Sequence, residues 1–121
     1  MPIKKVLIVD DSPTERFFLN ELLTKQGYAV SMAENAEEAM IKVKAVMPDL
    51  ILMDVVMPGL NGFQATRAIS RDPDTRAIPI ILCTSKSQET DKIWGMRQGA
   101  RDYIVKPVRR DELLAKIAAV G

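Results

Sequence analysis

Four short, unbroken apolar runs punctuate the chain, at 6–9, 50–53, 78–83 (with Pro79 inside it) and 103–105. They are too short for helices and lack the alternation of a half-exposed strand. They therefore predict strands buried on both faces, as in a parallel sheet covered by helices. A fifth run at 28–32 is more polar and predicts a more exposed strand. Helical spacing fills the intervals, with ends marked by cap chemistry. Ser12-Pro13-Thr14-Glu15 has the form of a capping box with proline at the first helical position, and Gly27 supplies the residue that ends the helix. Asn35 and Glu38 repeat the cap pattern ahead of a helix whose Ala36, Ala39, Met40, Val43 and Val46 share one face, stopped by Pro48. Further helices are expected at 62–70, at 87–98 before Gly99, and at 110–120.

The order is strand then helix, five times over, with strand starts about 20 to 30 residues apart, the length a right-handed crossover helix needs. No linker, repeat or low-complexity tract interrupts it. The pattern predicts one doubly wound α/β domain, and in such sheets ligands bind outside the carboxyl ends of the strands, where the strand order reverses. At those ends stand Asp10-Asp11, Asp54, Thr84-Ser85 and Lys106-Pro107.

Taken singly, each has a plain use. Asp10 and Asp11 could complement a helix dipole, Asp54 could form the turn before Pro58-Gly59, Thr84 and Ser85 could cap a helix, and Lys106 could be a surface charge. Taken together they define a chemistry. Two carboxylates about 4 Å apart repel by roughly 4 kcal/mol at an effective dielectric constant near 20, so gathering three of them demands positive charge. Mg²⁺ suits one or two carboxylates, retained waters and phosphate oxygens. A metal, the Lys106 ammonium and the Thr84 hydroxyl would make a clamp for a transferring phosphoryl group, with one aspartate as nucleophile.

Composition narrows the field further. The 121 residues suit one domain, and the scaling of surface with mass gives roughly 6,500 Å² exposed when folded. Seventeen basic residues against sixteen acidic leave a net charge of +1, too little to steer nucleic acid or an anionic membrane. With no histidine and one cysteine, zinc centres, imidazole catalysis and an internal disulfide are excluded. The apolar run at 6–9 is too short for a signal peptide, and no run approaches a membrane span, so a cytoplasmic location is expected. The methionines and Cys83 are expected mainly in the core.

Val9-Asp10-Asp11-Ser12, Leu52-Met53-Asp54, Met57-Pro58-Gly59-Leu60-Asn61-Gly62, Thr84 and Tyr103-Ile104-Val105-Lys106-Pro107 together resemble the receiver domain of response regulators, the CheY-like family, over the whole chain. The stretches 57–67 and 88–103 more narrowly resemble its regulators of twitching motility. The resemblance implies a five-stranded parallel sheet in the order 2-1-3-4-5 with five helices. It implies that Asp54 accepts a phosphoryl group from a histidine kinase of the CheA-like kind. It implies that Asp11, Asp54 and the Val56 carbonyl bind Mg²⁺, with Asp10 acting largely through a metal-bound water. It further implies that Lys106 pairs with phosphoryl oxygens, that Thr84 moves to hydrogen-bond one of them, and that the Lys106–Pro107 bond is cis.

Tyr103 matches the family's switch aromatic, expected to turn from exposed to buried as Thr84 moves. The output surface is then the fourth helix, fifth strand and fifth helix, with Trp94, Arg97, Arg101, Arg109 and Arg110. Tryptophan, tyrosine and arginine are enriched at binding hot spots, although Trp94 could equally be half-buried packing. Val56 and Lys86 flank the chemistry at positions that tune loss of the phosphoryl group. Valine cannot orient an attacking water, so slow self-dephosphorylation is expected. The expected entity is a stand-alone phosphoacceptor without an output domain, monomeric or weakly dimeric, that contacts a kinase and an unidentified target protein but neither nucleic acid nor membrane. It is not expected to be a turnover enzyme, because aspartyl-phosphate phosphatases carry a second acid where this chain has Val56. A phosphate sink and a structural module that never carries phosphate are the alternatives.

Overall fold

The computed structural model describes residues 2–121. In chain order its elements are β1 (Lys5–Val9), α1 (Pro13–Lys25), β2 (Ala29–Ala33), α2 (Ala36–Val46), β3 (Leu50–Met53), α3 (Gly62–Arg71), β4 (Ile80–Thr84), α4 (Glu89–Arg97), β5 (Asp102–Val105) and α5 (Arg110–Val120). The strands form one parallel sheet in the order β2-β1-β3-β4-β5. β1 pairs with both β2 and β3, with Val9 opposite Ala33 on one side and Met53 on the other. Chain order reverses there, which opens the crevice in which the first and third strands end.

Alternate residues of each central strand enter different cores, so the runs read as continuously apolar. Leu7, Val9, Ile51, Met53, Ile80 and Leu82 pack with Ala36, Ala39 and Val43 of α2 and Ala65 and Ile69 of α3. Val6, Ile8, Leu50, Leu52, Ile81, Cys83 and Ile104 pack with Leu19 and Leu23 of α1 and Leu113 and Ile117 of α5. The exposed area is 6491 Å², as the mass-scaling argument expects. Cys83 is a buried hydrophobe whose thiol burial pushes up to about 12. The methionines divide. Met53 and Met57 are buried and Met32 packs against the second core, whereas Met47 and Met96 are each 45% exposed and stand apart from the expected core role. Among the described residues no helix is long and apolar enough to cross a membrane.

Several element ends differ by a residue or two from the pattern reading. β4 starts at Ile80, because the Ile78 amide closes a turn onto the Thr75 carbonyl and Pro79 has no amide to give. α4 starts at Glu89, where the Gln88 amide donates to Asp91. The Ser12 cap is half a capping box: the Glu15 amide donates to Ser12 Oγ at 3.3 Å, but the Ser12 amide donates to Asp10 Oδ1 at 2.9 Å and is not available to Glu15. Asn35 likewise caps through Glu38 N alone, and the Glu38 carboxylate pairs with Lys42. The reciprocal box forms at Asn61 and Gln64, with both bonds at 2.9 Å, directly ahead of α3. Gly27 and Gly99 end their helices with φ of 91° and 114°, and Lys106–Pro107 is cis.

The two-core packing carries a stability prediction. Leu52→Ala, at a side chain 1% exposed, is expected to destabilise by about 2 to 5 kcal/mol. Ile41→Ala, at a side chain 72% exposed, is expected to stay within about 0.5 kcal/mol of wild type. Urea-unfolding midpoints check both, and similar losses at the two positions would contradict this burial pattern.

Candidate functional site

Two sheet hydrogen bonds set the height of the acids. The Asp10 amide donates to Ala33 O at 3.1 Å and the Asp54 amide to Val9 O at 2.9 Å, so both aspartates leave the sheet at one level. Asp10 is 2% and Asp54 6% exposed, whereas Asp11 is exposed. One carboxylate oxygen from each of Asp10, Asp11 and Asp54 lies within 4.8 Å of the others. β5 delivers the cation: Lys106 Nζ donates to Asp10 Oδ2 at 2.8 Å and stands 3.7 Å from Asp54 Oδ2. The Lys106 amide donates to the Thr84 carbonyl at 2.9 Å, which ties that strand end to β4.

The electrostatics follow from this geometry. Burial, reinforced by the Asp10 charge, raises Asp54 from 3.8 to about 6, against the opposing pull of Lys106 and the Val55 amide. Burial disfavours the Lys106 ammonium, yet its hydrogen bond to Asp10 and the charges of Asp54 and Asp10 outweigh that and hold its pKa above the ordinary lysine value. Three carboxylates against one ammonium leave the cluster short of two positive charges. Hard oxygen donors in that number and charge fit a divalent cation such as Mg²⁺. Val56 lies in the adjoining loop with its side chain 55% exposed.

Thr84 is fully buried, and its Oγ1 accepts from the Lys86 amide at 3.3 Å. Tyr103 does not stand exposed as expected for a resting switch. It is 8% exposed and its hydroxyl donates to the Lys86 carbonyl at 2.7 Å. Glycine at residue 95 of α4 is required by Leu82: a Cβ there would sit 2.6 Å from Leu82 Cδ1, while at 3.4 Å it would only touch the Tyr103 ring. Burial raises the Tyr103 hydroxyl to about 12. Trp94 is 48% exposed on α4, beside exposed Ile93 and Met96.

Two site residues were not anticipated. Arg16 Nη1 donates to the Asp10 carbonyl at 2.7 Å, and Gly62 lies so close to the end of β3 that a Cβ would be 2.1 Å from the Asp54 carbonyl oxygen. No sequence signal marks Arg16. Gly62 was legible as the last residue of the 57–62 motif and as the start of a helix, but its tight seat against the Asp54 carbonyl depends on the tertiary fold.

A strand-end acid cluster with an opposed lysine, on a parallel sheet ordered 2-1-3-4-5, defines a class. A family model described as the response regulator receiver domain matches residues 6–118, and the chain belongs to that family. It is 55% identical over 116 residues to the protein PilH of Pseudomonas aeruginosa, which covers 96% of each chain. It is 42% identical to the phosphate regulon transcriptional regulatory protein PhoB of the same organism, over 97% of this chain but 51% of PhoB. The structure of the chemotaxis protein CheY4 of Vibrio cholerae superposes with a TM-score of 0.92 at 32% identity, over 98% of this chain and 99% of CheY4.

The raised Asp54 value has a consequence for stability. The native state holds the Asp54 proton more tightly than the unfolded chain, whose carboxylate titrates at the ordinary 3.8. The resulting stabilisation is complete below that value and is lost as pH rises through about 6. Asp54→Asn removes the penalty of a buried charge. In metal-free buffer the variant is expected to gain about 1 to 3 kcal/mol on wild type between roughly pH 4 and pH 7, after allowance for solvent screening. Urea-unfolding midpoints across that range test it, and a variant-minus-wild-type difference that does not change with pH would contradict the shift.

Proposed function

We propose that the chain is a phosphoryl-accepting switch in a two-component pathway, with Asp54 as the acceptor and a histidine kinase as the donor. The observation that carries this reading is the meeting of Asp10, Asp11 and Asp54 within 4.8 Å, with Lys106 2.8 Å from one acid and 3.7 Å from another. With a pKa near 6, Asp54 is mostly ionised at neutral pH and is available as a nucleophile. Its free oxygen attacks the phosphorus of a phosphohistidine, an O–P bond forms as the P–N bond breaks, and the departing imidazole takes up a proton. Asp11, Asp54 and the Val56 carbonyl would hold Mg²⁺, with Asp10 contacting it through water. The chemistry a bound Mg²⁺ supplies is neutralisation of charge on the transferring oxygens. Lys106 exchanges its aspartate partners for phosphoryl oxygens, and the Thr84 hydroxyl donates to another. The chain accepts one phosphoryl group per cycle and is not a turnover enzyme.

The output is protein contact through α4, β5 and α5, where Trp94, Arg97, Arg101, Arg109 and Arg110 are exposed. The likeness to PilH supports a role in twitching motility, in the cytoplasm, where the donor kinase domain and its nucleotide reside. A second reading, a phosphate sink, is favoured by the seat of Tyr103, whose ring is turned inward and whose hydroxyl is held by the Lys86 carbonyl rather than presented on the output surface.

Incubation with Mg²⁺ and acetyl phosphate should give one adduct per chain by mass spectrometry, abolished in Asp54→Asn. Lys106→Ala should slow its formation by about 10²-fold. Multiple turnover, or no adduct, would overturn the proposal. With Val56 unable to orient water, the adduct should persist for minutes or longer, and a half-life of a few seconds would refute that part. Beryllofluoride with Mg²⁺ separates the two readings: a switch changes Trp94 fluorescence, whereas a sink does not.

A further inference from the structure

Arg16 is a cation beside the acid cluster that contacts none of its three carboxylates. Its side chain is only 14% exposed on the first turns of α1. Nη1 donates to the Asp10 carbonyl at 2.7 Å, and Nη2 lies 3.5 Å from Glu34 Oε1 in the loop between β2 and α2. Glu34 is 66% exposed, so that ion pair is weak in itself. The bond to the carbonyl is short, charge-assisted and largely desolvated, and it is the stronger end of the fork.

With Arg16 in place, every polar group of Asp10 has a partner. The amide donates to Ala33, the carbonyl accepts from Arg16, Oδ1 accepts from Ser12 at 2.9 Å, and Oδ2 accepts from Lys106 at 2.8 Å. The Asp10 carbonyl belongs to the peptide that leads into Asp11. Asp11 is the exposed member of the trio, and no hydrogen bond to its carboxylate is formed among the described residues. The direction in which Asp11 points therefore depends on how that peptide is held.

We propose that Arg16 is a positioning residue: it locks the Asp10–Asp11 peptide so that the Asp11 carboxylate faces Asp54, and through Glu34 it ties that peptide to the β2–α2 loop. The proposal rests on the reading of the cluster as a Mg²⁺ site. Two effects of Arg16 on a dication have opposite signs. As a bare charge it repels Mg²⁺, so neutralising it would tighten binding. As a clamp it assembles the donors, so losing its fork would weaken binding even if the charge stayed.

Mg²⁺ titrations by calorimetry of wild type, Arg16→Lys, Arg16→Gln and Glu34→Gln discriminate these effects, together with amide ¹H–¹⁵N shifts of the metal-free proteins. Both Arg16 variants should bind Mg²⁺ about tenfold more weakly, the cost usual for a lost outer-shell partner. Arg16→Lys, which keeps the charge and the fold, should displace the Asp11 and Ser12 amide signals before any metal is added. Glu34→Gln, which leaves the carbonyl bond in place, should weaken Mg²⁺ by less than the Arg16 variants. Tighter binding in Arg16→Gln with no change in Arg16→Lys would overturn the proposal in favour of a pure charge effect. Unchanged Asp11 and Ser12 signals in Arg16→Lys would overturn it as well. A wild-type chain that ignores Mg²⁺ would sink the metal reading itself, whereas wild-type affinity in both Arg16 variants would sink this proposal and leave the metal reading standing.

Discussion

The repulsion among Asp10, Asp11 and Asp54 is the constraint on which the rest of this structure turns. Carboxylates whose oxygens lie within 4.8 Å of one another, two of them nearly buried, oppose the folded state unless positive charge meets them. Lys106 meets part of that demand, pairing with Asp10 and approaching Asp54, and the shift of Asp54 to about 6 records its burial first and the neighbouring Asp10 charge second. A cluster fully neutralised by its own chain would bind no cation and would have no reason to react. This one is left short by two positive charges, an amount that suits a divalent metal, so stability is given up where a cation can be held.

Holding such a cluster requires rigidity in what surrounds it. β1 and β3 supply it through the sheet, since the aspartate amides continue the ladder onto Ala33 and Val9. α3 supplies it from the other side: Gly62 brings the helix start against the Asp54 carbonyl at a distance that no Cβ would permit, and its amide donates to the Val55 carbonyl at 2.9 Å. The Asn61–Gln64 capping box fixes that helix start in turn. Asp54 is thus gripped by its backbone, with Oδ1 accepting from the Val55 amide and Oδ2 turned toward Lys106.

Much of this was legible in the residues. Continuous apolar runs bounded by acids, a hydroxyl and a lysine gave the parallel sheet and its reactive edge, because burial on both faces removes alternation and the polar residues begin where the sheet ends. What escaped reading were contacts that depend on two elements meeting. The Ser12 capping box failed to close because Asp10 competes for the Ser12 amide, and that competition exists only once β1 and α1 are assembled. Arg16 and Gly62 look like an ordinary helical arginine and a helix-starting glycine until β1 and β3 are placed against them. Ile78 resembled a strand residue by hydrophobicity, but Pro79 and a turn bond to Thr75 withheld it from the sheet.

The inward position of Tyr103 bears on how a change at Asp54 could reach the surface. Thr84 and Tyr103 do not touch through their hydroxyls; they meet on one residue, with the Lys86 amide bonded to Thr84 and the Lys86 carbonyl to Tyr103. In the proposed switch, movement of the Thr84 hydroxyl toward a phosphoryl group would break the first of these bonds and free the Ser85–Lys86 peptide to reorient. That peptide leads into α4, a helix that buries only Gly95 and leaves Ile93, Trp94 and Met96 exposed. An element so lightly seated shifts at low cost, whereas the sheet and the two cores beneath it do not. In the proposed switch, the path from charge to surface would run through the Lys86 backbone and the seat of α4, with the Tyr103 ring held inward by the Lys86 carbonyl.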